Sequence, residues 1–196
     1  MEARFFCRSE ALIEHLVFLL EGESERDFLA LMLPKVLPPE IEPHFMVFEG
    51  KQDLEKNVVP KLKRWLRPNS QFVVMRDQDS GDCHVIKEGL RKKCEEAGHP
   101  NAIVRIACRA LETFFIGDWQ AVADAYEKPA LAANQRKAKY RKPDLLGNPA
   151  DELDKALPGY QKREGARRIT PKLDLQRNQS NSFNALIRSL HQVAAG

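Results

Sequence analysis

The sequence has no CxxC pair, no apolar run approaching the length of a membrane span, and no repeated or low-complexity tract. Each absence removes a class of protein. The four cysteines, Cys7, Cys83, Cys94 and Cys108, are scattered, so they read as reduced thiols of a cytoplasmic protein and not as a disulfide framework or a zinc site. The five histidines are equally dispersed, with only His84 beside a cysteine, and no Cys/His metal centre is expected. The longest apolar stretch near the start, Leu16 to Leu20, falls far short of the roughly 20 residues a transmembrane helix needs. Glu2, Arg4 and Arg8 precede it, so neither a signal peptide nor membrane insertion is expected.

What is present suits a globular protein large enough for a real core: 196 residues, 43% hydrophobic and 30% charged. The net charge of +3 conceals an imbalance. Residues 128–177 carry 13 Lys/Arg against 6 Asp/Glu, a balance of +7, while the remainder carries 18 against 22, a balance of −4. An acidic part joined to a basic part suits a polyanion, with metal ligands on one side and phosphate contacts on the other.

Apolar runs alternate with helical patterns through the first 127 residues. His15 to Leu20 (HLVFLL) reads as a buried strand ending in Glu21-Gly22, where the glycine permits close approach of a ligand. Ser24 is placed to cap the next helix, with Asp27 at the capping-box position and Pro38-Pro39 as the stop. A strand at His44 to Phe48 leads to a helix capped by Asp53, with a kink or late start at Pro60. Phe72 to Met75 is a third strand, His84 to Ala97 a helix, and Ala102 to Ala107 a fourth strand. Asp118 caps a short helix reaching Tyr126. The alternation predicts an α/β fold, a Rossmann-like parallel four-stranded sheet flanked by helices. From residue 128 the pattern weakens into a basic, loop-rich and helical extension. Its last helix, capped by Asn181-Ser182, is expected to pack back on the same domain.

The third strand runs into QFVVMRDQDSGDC, with Asp77, Asp79 and Asp82 inside six positions. If the backbone stays extended past Met75, Asp77 and Asp79 point to one side and repel unless a cation lies between them. Mg²⁺, a hard ion with oxygen ligands, is the natural candidate, with Mn²⁺ as a substitute. Glu21 occupies the matching place on the first strand, and ligands of such sheets bind beyond the carboxyl ends. Three chemistries use such a set. One is metal-dependent phosphodiester hydrolysis, with the aspartates on the metal and Glu21 as acid or base or as ligand of a second metal. The others are a metal-dependent phosphatase or phosphotransferase working through an aspartyl-phosphate, and a receiver-like regulator.

FLLEGESE followed by a helix, and VVMRDQDSGD after an intervening strand–helix unit, resemble the Toprim domain of topoisomerases, bacterial primases and overcoming-lysogenisation-type nucleases. The blocks FEGKQDL, DQDSGDC, LETFFIGDWQAVADAY, GARRI and RNQSNSF resemble a family of small stand-alone Toprim-like bacterial proteins of unknown function, over nearly the whole length. The resemblance implies a Toprim-like domain at residues 1–127 and a basic extension at 128–196. It implies a Mg²⁺-dependent nuclease with Glu21 as general acid/base, Asp77 and Asp79 as catalytic metal ligands, and Asp82 as an outer or second-metal ligand. Glu25 is either a second-metal ligand or a helix first-turn charge. Glu112, after the fourth strand, either completes the metal site or makes a structural salt bridge. Candidate phosphate contacts are Lys51, in the turn after the second strand, and Lys162, Arg163, Arg167, Arg168 and Arg177 in the extension. The implied partner is nucleic acid, DNA rather than RNA. An ATPase partner and a role in defence follow from the resemblance, and homo-oligomerisation stays open. None of Tyr126, Tyr140 and Tyr160 has the helix-turn-helix setting of a topoisomerase tyrosine, which favours metal-assisted attack by water. The rival reading is a non-catalytic metal- or nucleic-acid-binding subunit of an ATPase complex.

Overall fold

The computed structural model describes residues 12–195, and Cys7 and the charged residues Glu2, Arg4 and Arg8 lie outside them. Four strands, β1 (His15–Leu20), β2 (Glu42–Val47), β3 (Ser70–Asp77) and β4 (Ile103–Ala107), form one parallel sheet in the order β2-β1-β3-β4. The central strands β1 and β3 are covered on both faces, which is why they read as unbroken apolar runs. The expected α/β fold with four parallel strands is the one observed.

Among the described residues eight α-helices accompany the sheet: α1 (Glu23–Met32), α2 (Lys51–Arg64), α3 (Cys83–Glu96), α4 (Glu112–Ile116), α5 (Trp119–Ala125), α6 (Pro149–Ala156), α7 (Lys162–Ile169) and α8 (Asn181–Ala195). The strand pleat sorts them into two layers. Leu16, Phe18, Leu20, Val73 and Met75 face a core completed by α1, α4, α5, α7 and α8. Val17, Leu19, Phe72 and Val74 face Leu54, Val58 and Leu62 of α2 and Leu90 and Cys94 of α3. From β1 the chain crosses to β2 on one flank, whereas from β3 it passes to β4 on the other. The two departures diverge, so the carboxyl ends of β1 and β3 form the topological switch point, where ligands of such sheets bind.

Local boundaries differ from the sequence expectations for identifiable reasons. α1 starts behind Gly22 without a side-chain cap, so Ser24 and Asp27 lie within the helix and form no capping box. It ends at Met32 and tightens into a 3-10 turn, Leu33–Lys35, because Pro34 cannot donate a backbone hydrogen bond. α2 starts behind Gly50, whose φ of 92° favours glycine; Asp53 sits one turn inside, and Pro60 stays within the helix. At α8 it is Ser180, not Asn181 or Ser182, whose Oγ accepts the Phe183 amide (3.1 Å). In the extension, α7 lies along α1 and α8 along β4, where Arg105 donates to Ser189 Oγ (2.9 Å). Among the described residues no helix is long and apolar enough to cross a membrane.

Candidate active site at the carboxyl ends of the strands

The register pairs Leu20 with Met75, which brings Glu21 alongside Arg76 and lets the Asp77 amide donate to Glu21 Oε2 (3.1 Å). The pleat then divides the charged residues. Asp77 follows Val73 and Met75 onto the face covered by α1, while Arg76 follows Phe72 and Val74 onto the face covered by α2. Asp79 adopts a left-handed φ of 55°, so the extended alternation expected to align Asp77 with Asp79 is broken between them. The two aspartates belong to different clusters.

On the α1 face, Asp77, Glu25 of α1 and Glu112 of α4 are all buried. Lys162 of α7 reaches in among them, its Nζ 2.7 Å from Asp77 Oδ2 and 3.1 Å from Glu25 Oε1. A Cβ on Gly22 would stand 3.1 Å from Glu25 Oε2, so the glycine makes room for that carboxylate. Burial drives the Asp77 carboxyl up to about 7 against the pull of Lys162, with Glu25 and Glu112 adding to the rise. Burial likewise raises Glu112. Burial works against the Lys162 ammonium, yet Asp77, Glu25 and Glu112 outweigh it and hold its pKa above the usual lysine value. Tyr160 packs against Gly165, where any Cβ would collide with its ring, and its buried hydroxyl lacks a hydrogen-bond partner.

On the α2 face, Arg76 is a buried cation that the sequence reading overlooked. Its Nε donates to the Asp77 carbonyl (2.9 Å) and lies 3.8 Å from Glu21 Oε2, its Nη2 lies 3.7 Å from Asp79, and its Nη1 pairs with Glu55. Lys51 Nζ holds Asp79 Oδ2 at 2.8 Å. Burial raises the Glu21 pKa, although the Asp77 amide and Arg76 oppose the rise. A carboxyl so placed holds a proton more readily than an ordinary glutamate, as a general acid or base does.

The remaining predicted residues sit elsewhere. Asp82 Oδ1 accepts from His84 N (2.8 Å) and Val85 N (3.0 Å), so it caps α3. Arg163 and Arg167 both pair with Asp27, at 3.0 and 2.9 Å. Arg168 pairs with Glu164 (3.2 Å) and covers the Tyr126 ring at 4.1 Å. Arg177 grips the fully buried Asp118 through two nitrogens, at 2.7 and 3.0 Å. Of the six basic residues, Lys162 and Arg177 are therefore committed to internal acids. Lys51, Arg163, Arg167 and Arg168 keep about half of their side chains in solvent.

An all-oxygen donor set fits a hard cation such as Mg²⁺ or Mn²⁺. Two buried carboxylate oxygens, Asp77 Oδ1 and Glu25 Oε1, lack hydrogen bonds, and the acids of both clusters outnumber Lys162, Arg76 and Lys51. Asp77, Glu25 and Glu112 are the residues that would hold such an ion. Their oxygens are spread around Lys162 and do not converge. Among the described residues, the one group of three His, Cys, Asp or Glu side chains whose ligand atoms all lie within 4.8 Å of one another is His15, Glu42 and His44, at the opposite end of the sheet.

Compared with known proteins, the chain matches the family model described as "Domain of unknown function (DUF4276)" over residues 20–191, a span that includes every acidic and basic residue of both clusters. No curated protein and no solved structure matches it.

Proposed function

The chain belongs to the DUF4276 family, and from the site inside the matched span we propose that it is a divalent-metal-dependent phosphodiesterase acting on nucleic acid, a Toprim-like nuclease. The observation that carries this reading is the buried, unpartnered acid oxygen Asp77 Oδ1, grouped with the buried carboxylates of Glu25 and Glu112 around one ammonium beside the switch point between β1 and β3. Asp77, Glu25 and Glu112 would hold Mg²⁺ or Mn²⁺, which when bound would stabilise phosphate charge and acidify water. Glu21, with its raised pKa, takes the proton of the attacking water or returns one to the leaving oxygen. Asp79 is held by Lys51 at the rim, and the exposed parts of Lys51, Arg163, Arg167 and Arg168 contact phosphates. In the metal-free protein Lys162 balances part of the acid charge. DNA as substrate, an ATPase partner and a role in defence rest on the Toprim resemblance alone.

One observation favours a second reading. The 2.7 Å contact of Lys162 with Asp77 suits a non-catalytic subunit in which the ammonium permanently takes the place of the metal. The deciding experiment incubates labelled single- and double-stranded DNA and RNA with the protein in Mg²⁺, Mn²⁺ or EDTA, beside Glu21→Gln and Asp77→Asn. A nuclease cleaves with metal only, and Glu21→Gln lowers the rate by about 10²–10⁴ while retaining binding. Salt-sensitive binding without cleavage in any condition establishes the second reading. Neither binding nor cleavage removes both.

A further inference from the structure

At the amino end of the same sheet, far from the acid clusters, three potential ligands meet. His15 opens β1, Glu42 opens β2, and the parallel register sets them opposite each other. His44 lies two residues beyond Glu42, so the pleat puts it on the same face. The ligand atoms form a nearly equilateral triangle: His15 Nδ1 to His44 Nε2 is 3.2 Å, and each nitrogen is 3.3 Å from Glu42 Oε2. The imidazoles meet edge-on with centroids 5.1 Å apart, and Trp65 packs edge-on against His44, also at 5.1 Å.

The size of this triangle is informative. Metal–nitrogen and metal–oxygen bonds of about 2.0–2.1 Å in tetrahedral geometry give ligand–ligand edges of about 3.3–3.4 Å. Each of the three atoms can offer a lone pair to a cation held between them. Two nitrogens and one oxygen select a borderline transition ion over Mg²⁺. Three protein ligands on a partly exposed surface leave the fourth position open to solvent. Arg67 Nη1 also reaches Glu42 Oε2 (3.3 Å), so a metal competes with it for that carboxylate.

We infer that His15, Glu42 and His44 form a Zn²⁺-class site with one open coordination position, separate from the carboxylate site at the other end of the strands. β1 separates the two by about 20 Å, six residues at about 3.3 Å each. This inference does not depend on the nuclease reading.

The test uses untagged full-length protein, stripped with EDTA and dialysed, then titrated with Zn²⁺ by calorimetry and with Co²⁺ by visible absorption. Uptake of one equivalent with a tetrahedral Co²⁺ spectrum is expected. His15→Gln and His44→Gln should each weaken binding by at least about 100-fold, more than the loss of an outer-shell partner costs. Asp77→Asn should leave it unchanged. Should a histidine variant fail to fold, Glu42→Gln, at a side chain 58% exposed, carries the same prediction. Absence of Zn²⁺ binding at millimolar concentration overturns the inference. So does binding that survives both histidine variants, or that is lost with Asp77→Asn.

Discussion

The two ends of one parallel sheet carry opposite kinds of polar cluster. At the carboxyl end Glu21, Glu25, Glu55, Asp77, Asp79 and Glu112 gather on both faces, but Lys162, Arg76 and Lys51 stand between them and hold their oxygens apart. At the amino end, among the described residues, the ligand atoms of His15, Glu42 and His44 lie close together, with Arg67 also on Glu42. Acid count and metal geometry are therefore separate properties. The carboxyl end has the charge that attracts a cation, and the unpartnered Asp77 Oδ1 stands beside an excess of acids. The amino end has the spacing that the inferred Zn²⁺-class site requires, with Arg67 as the competitor for Glu42.

Removing the cation of the crowded end tests this contrast with the largest expected effect. Lys162→Met leaves Asp77, Glu25 and Glu112 buried without their partner and should cost about 3 kcal/mol in urea unfolding with EDTA present. Added Mg²⁺ should restore most of that loss, since the ion takes over the charge of the ammonium. Stability unaffected by the substitution would mean that Lys162 is not what balances the cluster.

The pH dependence comes next. Asp77 is raised from 3.8 to about 7 in the folded protein, so between those values the native state keeps a proton that the unfolded chain releases. Its contribution to stability is complete below about pH 4 and is lost as pH rises through about 7, with a slope of at most about 1.4 kcal/mol per pH unit. The difference between wild type and Asp77→Asn across this range, in EDTA, should show that slope. A difference independent of pH would place the Asp77 pKa at its ordinary value.

A smaller effect separates cap from ligand. Asp82→Ala should cost about 1 kcal/mol through loss of the α3 cap and should leave Mg²⁺ affinity intact. A tenfold loss of Mg²⁺ affinity would return Asp82 to the metal site. Smallest in stability is Arg167→Gln, which removes one of two arginines on Asp27 at a half-exposed site, at a cost of about 0.5 kcal/mol. If this face binds nucleic acid, the same change should reduce the slope of log affinity against log salt by about 0.9. An unchanged slope would take Arg167 out of the interface.

The sheet was legible because β1 and β3 are buried on both sides and so contain few interruptions. Helix starts were less so. Gly22 and Gly50 begin α1 and α2 without side-chain caps, and no side chain advertises such a start. That Glu21 and Asp77 meet beyond the strand ends was also legible, since both follow apolar runs. Which face each acid takes was not, because the left-handed turn at Asp79 overrides the two-residue period. Lys162 carried a basic-tail signal that suggested phosphate, and nothing local marked a partner 85 residues away. Arg76 stood inside the strand motif itself and was passed over between the apolar run and the aspartates. The histidines looked dispersed because His15 and His44 are 29 residues apart, and strand register alone makes them neighbours.

The sequence by itself determined the alternation of strands and helices, the parallel sheet, and the delivery of acids to the carboxyl ends, because hydrophobic periodicity is a local property of the chain. Only the tertiary structure decided which charges neutralise which, that Lys162 lies among Asp77, Glu25 and Glu112, and that the ligand atoms of two histidines and a glutamate come together. Those outcomes depend on register, pleat and the docking of α7 on α1, where positions distant in the chain come within a few ångströms and electrostatics first acts between them.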